Sequence, residues 1–138
     1  MRPPPKESPQ PEPVIVFTGD RDNDHIQIQL HGTLIRLGAA LLEPLVELVL
    51  ERAHSETGYL QLEPVTVYRL RRALDEVLGP GTGKSLIETG LAQEYRLTIP
   101  RAELAAKVAV AASFAELETL KVISKQQLTE LLRVCTCL

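Results

Sequence analysis

From Val67 to Leu97 the chain writes one amphipathic helix and then two short strands, and this run constrains the fold more than any other. Val67, Leu70, Leu74 and Val77 recur at the three-and-four spacing of a helix face buried on a core. Arg69, Arg72 and Glu76 fall on the opposite side, so the helix carries an exposed edge rich in guanidinium groups. Ile87-Glu88-Thr89 and Tyr95-Arg96-Leu97 follow as the two arms of a β-hairpin.

The length of 138 residues suits one domain with appendages, and a hydrophobic content of 44% excludes wholesale disorder. A net charge of −3 does not advertise nucleic-acid binding, so any such affinity has to come from a local patch. No apolar run approaches the ~20 residues of a membrane span, and the N-terminus lacks the apolar core of a secretory signal. Cys135 and Cys137 are too close for an ordinary structural disulfide and too few for a metal site, so a reducing cytoplasm is the simplest setting. The last four residues fit a prenylation pattern only formally, because Thr136 and Cys137 are poor matches to its aliphatic positions.

Five of the ten prolines lie between Pro3 and Pro11, which marks residues 1–13 as an extended, solvated arm. Val14-Ile15-Val16-Phe17 reads as a strand. Ile26, Ile28 and Leu30 alternate with glutamines and lead through His31-Gly32 into Leu34-Ile35-Arg36-Leu37, a hairpin with one face in a core. From about Leu41 to His54 the pattern is helical, with Pro44 in the first turn. Only about ten residues separate His54 from Pro64, at the head of the arginine helix. Arg101 to Ala112 is rich in alanine and predicts a helix, and two capping boxes, Ser113 with Glu116 and Ser124 with Gln127, predict more. Residues 101–138 therefore form a helical extension whose Leu117, Leu120, Leu128, Leu131 and Leu132 either close the core or make a homodimer seam.

Several tempting motifs do not hold their chemistry. Gly79-Pro80-Gly81-Thr82-Gly83-Lys84-Ser85 looks like a phosphate loop, but Leu78 stands where the first glycine must be, and a helix precedes it instead of a buried strand. Asp20, Asp22 and Asp24 lack the glycine and closing glutamate of a calcium loop. His25, His31 and His54 sit on a loop, a turn and a helix end with no ligand at metal spacing, and neither Ser85 nor Ser113 has a nucleophile-elbow pattern. No catalytic residue, metal or cofactor is expected, and the chain does not read as an enzyme.

The run Val-x-x-Leu-Arg-Arg-x-Leu at Val67–Leu74, then Ile87-x-Thr89, five residues, and Tyr95-Arg96-Leu97, resembles the effector domain of OmpR/PhoB-type response regulators and the related SARP-type activators. The resemblance covers roughly residues 14–99. It implies an α+β winged helix over 14–100 with N-terminal strands, a C-terminal hairpin wing and, here, the added helical extension. It also implies a transcriptional regulator, with the arginine helix in the major groove of double-stranded DNA and the wing beside it. By that resemblance Thr66, Tyr68, Arg69 and Arg72 face the groove or its phosphates, Arg71 anchors the DNA backbone, and Lys84 and Arg96 lie nearby. Two departures weaken the expectation. A full helix normally stands between His54 and Pro64, and the wing has Leu91-Ala92-Gln93-Glu94 where the family usually carries an arginine flanked by glycines. The alternative expectation is a winged helix that binds a protein partner and has lost DNA.

Overall fold

The computed structural model describes residues 14–19, 21, 22, 25–114 and 123–137. The proline arm, the loop aspartates Asp20 and Asp24, the capping residue Glu116, and Leu117, Leu120 and Val122 lie outside the described residues. What is described mixes helix and sheet in a way compatible with the α+β class.

The first sheet grows from the N-terminal hairpin. β3 (His25–Leu30) and β4 (Thr33–Gly38) pair along their whole length, and Ile26, Ile28, Leu30, Ile35 and Leu37 turn to one buried side as the alternation predicts. Their two-residue turn, His31-Gly32, has positive φ at both positions (49° and 81°), the backbone that a tight hairpin of this hand requires. β4 fills one edge of β3, so β1 (Ile15–Phe17) and β2 (Arg21–Asp22) share the other.

α1 (Ala39–His54) joins the layers. Leu42, Leu45, Val46, Leu48 and Val49 are all fully buried, and the helix touches both sheets and the helices that follow. It starts two residues earlier than the sequence predicts, so Pro44 falls in the second turn rather than the first. Proline there removes the bond to the carbonyl of Ala40, an exposed residue. On the outer side, burial and then the neighbouring Glu43 push the Glu47 carboxyl above its ordinary value. A carboxylate with a raised folded value destabilises the fold once ionised: its favourable contribution is full below the unfolded value and is lost as pH rises through the folded one. Glu47→Gln is therefore expected to stabilise the protein at pH 7 by about 0.2–0.5 kcal/mol, the usual scale of a like-charge pair one turn apart. Urea melts should show that gain vanish below about pH 4, near the ordinary carboxylate values.

The second sheet has three antiparallel strands in the order β5 (Leu60–Gln61), β7 (Glu94–Leu97), β6 (Ile87–Thr89). Between β5 and β6 run α2 (Pro64–Leu78) and the short α3 (Thr82–Leu86). The arginine helix and the hairpin stand where the periodicity puts them. No helix separates α1 from α2, and the intervening residues hold only β5.

The C-terminal part departs most from expectation. Arg101 to Ala112 is not one helix: a 3-10 turn at Arg101–Glu103 and α4 (Leu104–Lys107) give way to a strand, β8 (Val108–Val110). Val108, Ala109 and Val110 are all buried, and β8 runs parallel to β1 with Ile15 opposite Val108. A position between two strands rewards β-branched side chains on both faces, and that burial outweighs the helical preference of the nearby alanines. β9 (Thr136–Cys137) adds a further parallel strand outside β8. α5 (Lys125–Val134) opens with the predicted capping box, in which the Ser124 hydroxyl accepts from the Gln127 N–H and the Gln127 side chain accepts from the Ser124 N–H. Its Leu128 and Leu131 are buried, so they close the core, and α5 packs on α1 with His54 Nε2 lying 3.0 Å from Glu130. The described residues beyond 100, expected as an appended extension, thus complete the first sheet and share one core with residues 15–99. Burial pushes the Cys135 thiol up to about 12, with Cys137 adding to the effect, so Cys135 stays protonated as a small apolar side chain.

Candidate nucleic-acid interface

α2 turns Val67, Leu70 and Leu74 into the core and presents Val65, Tyr68, Arg69, Arg72 and Glu76 outward along one ridge. The fourth apolar position predicted for the buried face, Val77, is instead 49% exposed, because it lies in the last turn. Pro64 fills the first helical position, where its missing N–H costs nothing, and the helix stops at Gly79, whose φ of 107° suits a residue without a Cβ.

The three guanidiniums of α2 have three different environments. Arg69 is exposed and has no ion-pair partner among the described residues. Arg72 lies 3.2 Å from Glu76 one turn on, with both side chains about two-thirds exposed. A pair so exposed contributes little and yields readily to a stronger anion. Its hydrogen bond to Glu76, with Tyr68 also close, raises the Arg72 pKa. Arg71, expected to anchor the DNA backbone, points inward instead: Nη2 donates to the Ile87 carbonyl at 2.6 Å and to Thr89 Oγ1 at 3.0 Å, and the guanidinium lies 5.6 Å from the Tyr95 ring centre. It ties α2 to the hairpin. The spacing of arginines could not distinguish this tether from an outward grip, since Arg71 and Arg72 are adjacent and the choice depends on where β6 lies.

α3 is fastened to the same helix. Gly83 rests against the backbone of Arg71, and its N–H donates to Asp75 Oδ1 at 2.8 Å. The glycine-rich turn thereby sets α3 beside α2, with Lys84 exposed. Thr66 is half-buried in the first turn of α2.

Arg96, expected near the interface, is also engaged within the fold. It pairs with Glu88 across the hairpin, donates to the Thr57 carbonyl at 2.8 Å and lies 4.4 Å from the centre of the Tyr59 ring. Gly90 leaves room for that same ring, since a Cβ there would sit 2.6 Å from it. At the hairpin tip Ala92 and Gln93 both take positive φ, and Leu91 projects into solvent, 83% exposed. The tip carries no cation.

The chain matches no family model, no curated protein and no solved structure. What this face does therefore has to be argued from its own geometry. Of the seven residues first singled out, Tyr68, Arg69, Arg72 and Lys84 are open to a partner, Thr66 is partly so, and Arg71 and Arg96 hold the hairpin in place. Sequence reasoning missed the partners of those two arginines, Thr89, Tyr95 and Tyr59, and the closure made by Asp75 and Gly83. Of these only Gly83 carries a sequence signal, as a glycine inside a predicted turn. Among the described residues no group of three or more His, Cys, Asp or Glu could hold a metal ion, and no described helix is long and apolar enough to cross a membrane.

Proposed function

We propose that this protein is a double-stranded DNA-binding regulator of winged-helix type that inserts the outer ridge of α2 into the major groove. The observation that carries the reading is a firmly backed helix with Tyr68, Arg69 and Arg72 exposed on its outer ridge, Arg72 held only by an exposed pair with Glu76, and a hairpin bound to its flank through Arg71. Arginine serves such a surface because its planar fork grips phosphate or pairs with the edge of guanine. Five-residue α3 stands between α2 and the hairpin, so it is the length and the exposed arginines of α2 that support its role as the reading helix. Arg69, Arg72 and Lys84 supply few phosphate contacts, so one copy binds weakly and with no help from a wing that carries Glu88 and Glu94 against Arg96, and a homodimer would double the grip.

Titration of random-sequence duplex at two salt concentrations tests this. Each phosphate contact contributes about −0.9 to the slope of log K against log salt, so Arg69→Ala/Arg72→Ala is expected to flatten the slope by about two units. Negligible binding by both proteins at low salt would transfer the face to a protein partner. That second reading is favoured by the apolar side chains left in solvent there, Val65, Tyr68, Val77 and Leu91.

A further inference from the structure

Beside the outer ridge, Pro64, Tyr68, Arg71, Arg72 and Asp75 of α2 and Lys84 of α3 line a cleft of about 340 Å³. We propose that this cleft binds a phosphate group, carried either by a small phosphorylated molecule or by a nucleic-acid strand. It stands whether or not duplex DNA is the partner of the ridge.

Charge comes first. Three cations and one carboxylate line the cleft; the carboxylate accepts the Gly83 N–H, and Arg72 has an exposed pair with Glu76 outside the lining. Arg71 is half-buried, hydrogen-bonds only the neutral oxygens of Ile87 and Thr89 and lies over the Tyr95 ring, so among the described residues its positive charge has no carboxylate partner. Its Nε is buried without a partner, while Nη1 is not sealed from solvent and has no hydrogen-bond partner among the described residues. An anion in the cleft supplies that counter-charge, with Nη1 the donor that Arg71 has left for it.

Rigidity comes second. Nη2 is pinned to β6 and Lys84 rides on a helix pressed against α2 through Gly83, so little ordering is left for the ligand to impose. Tyr68, 61% exposed, adds an aromatic side chain to the lining. The volume lies near the lower end of the ~300–1,000 Å³ typical of small-molecule sites, room for one or two phosphoryl groups with a modest organic body.

Pyrophosphate is the probe, titrated calorimetrically into the full chain at constant ionic strength. Saturable binding to one site is expected, weakened at least tenfold by Lys84→Ala and several-fold by Arg72→Ala, with amide shifts centred on Gly83 and Lys84. Lys125→Ala removes the same charge from exposed α5, outside the cleft, and is expected to change nothing. Absence of saturation in the wild type, or equal weakening by Lys84→Ala and Lys125→Ala, overturns the proposal. A repeat on DNA-saturated protein separates the sources. Mutual displacement assigns the cleft to a strand phosphate, and undisturbed binding assigns it to a small molecule. Should the duplex bind nowhere while pyrophosphate saturates, the regulator reading fails and the cleft stands.

Discussion

A chain ending at residue 100 is expected to lose its cooperative unfolding transition altogether. The truncation removes β8, which pairs with β1 along its buried length, and α5, which packs on α1. It also removes Phe114, whose ring lies 5.1 Å from that of Phe17, both fully buried. Leu104, Val108, Val110, Phe114, Ile123, Leu128 and Leu131 are all buried members of the shared core. Burial of each contributes about 1.5–3 kcal/mol. Together they match the whole net stability of an ordinary domain, about 5–15 kcal/mol. Circular dichroism melts and amide dispersion would show it: a sharp transition with dispersed resonances from residues 14–100 alone would mean that the C-terminal residues decorate a finished domain.

The second large effect falls on the α2–α3 junction. Gly83→Ala is expected to cost about 2–3 kcal/mol, the upper part of the range for overpacking a close contact. The added Cβ would lie 2.6 Å from the Arg71 Cα, 2.6 Å from its Cβ and 2.8 Å from its carbonyl oxygen. Two of those are backbone atoms of a helix and cannot swing aside. Relief requires α3 to move away, which also breaks the Gly83 hydrogen bond to Asp75 and turns Lys84 out of the cleft. Denaturant melts read the loss directly. An unchanged midpoint would show that α3 does not rest on Arg71, and the cleft would lose its floor.

What the chain discloses by itself follows the strength of each local signal. The β3–β4 hairpin was legible because alternation and a glycine turn agree, and α2 because its apolar period is clean. β8 was not legible: a three-residue run inside an alanine-rich stretch has no local reason to extend, and only pairing with a strand more than ninety residues earlier supplies one. The apolar periodicity anticipated a helix and then a hairpin, and the short spacing between His54 and Pro64 anticipated that no full helix stands between α1 and α2. Neither could assign the arginines. Arg69, Arg71 and Arg72 look alike on paper, and Arg71 turns inward only because the oxygens of Ile87 and Thr89 wait beside it.

The parallel partnership of Ile15 with Val108 also governs how the molecule comes into being. During synthesis one flank of β1 stays open, with unsatisfied amides and apolar side chains, until the ribosome has released the chain past Val110. Pairings of such wide sequence separation form slowly. Throughout that interval β1 presents a strand edge onto which other chains can add, and the arrival of β8 is what covers it.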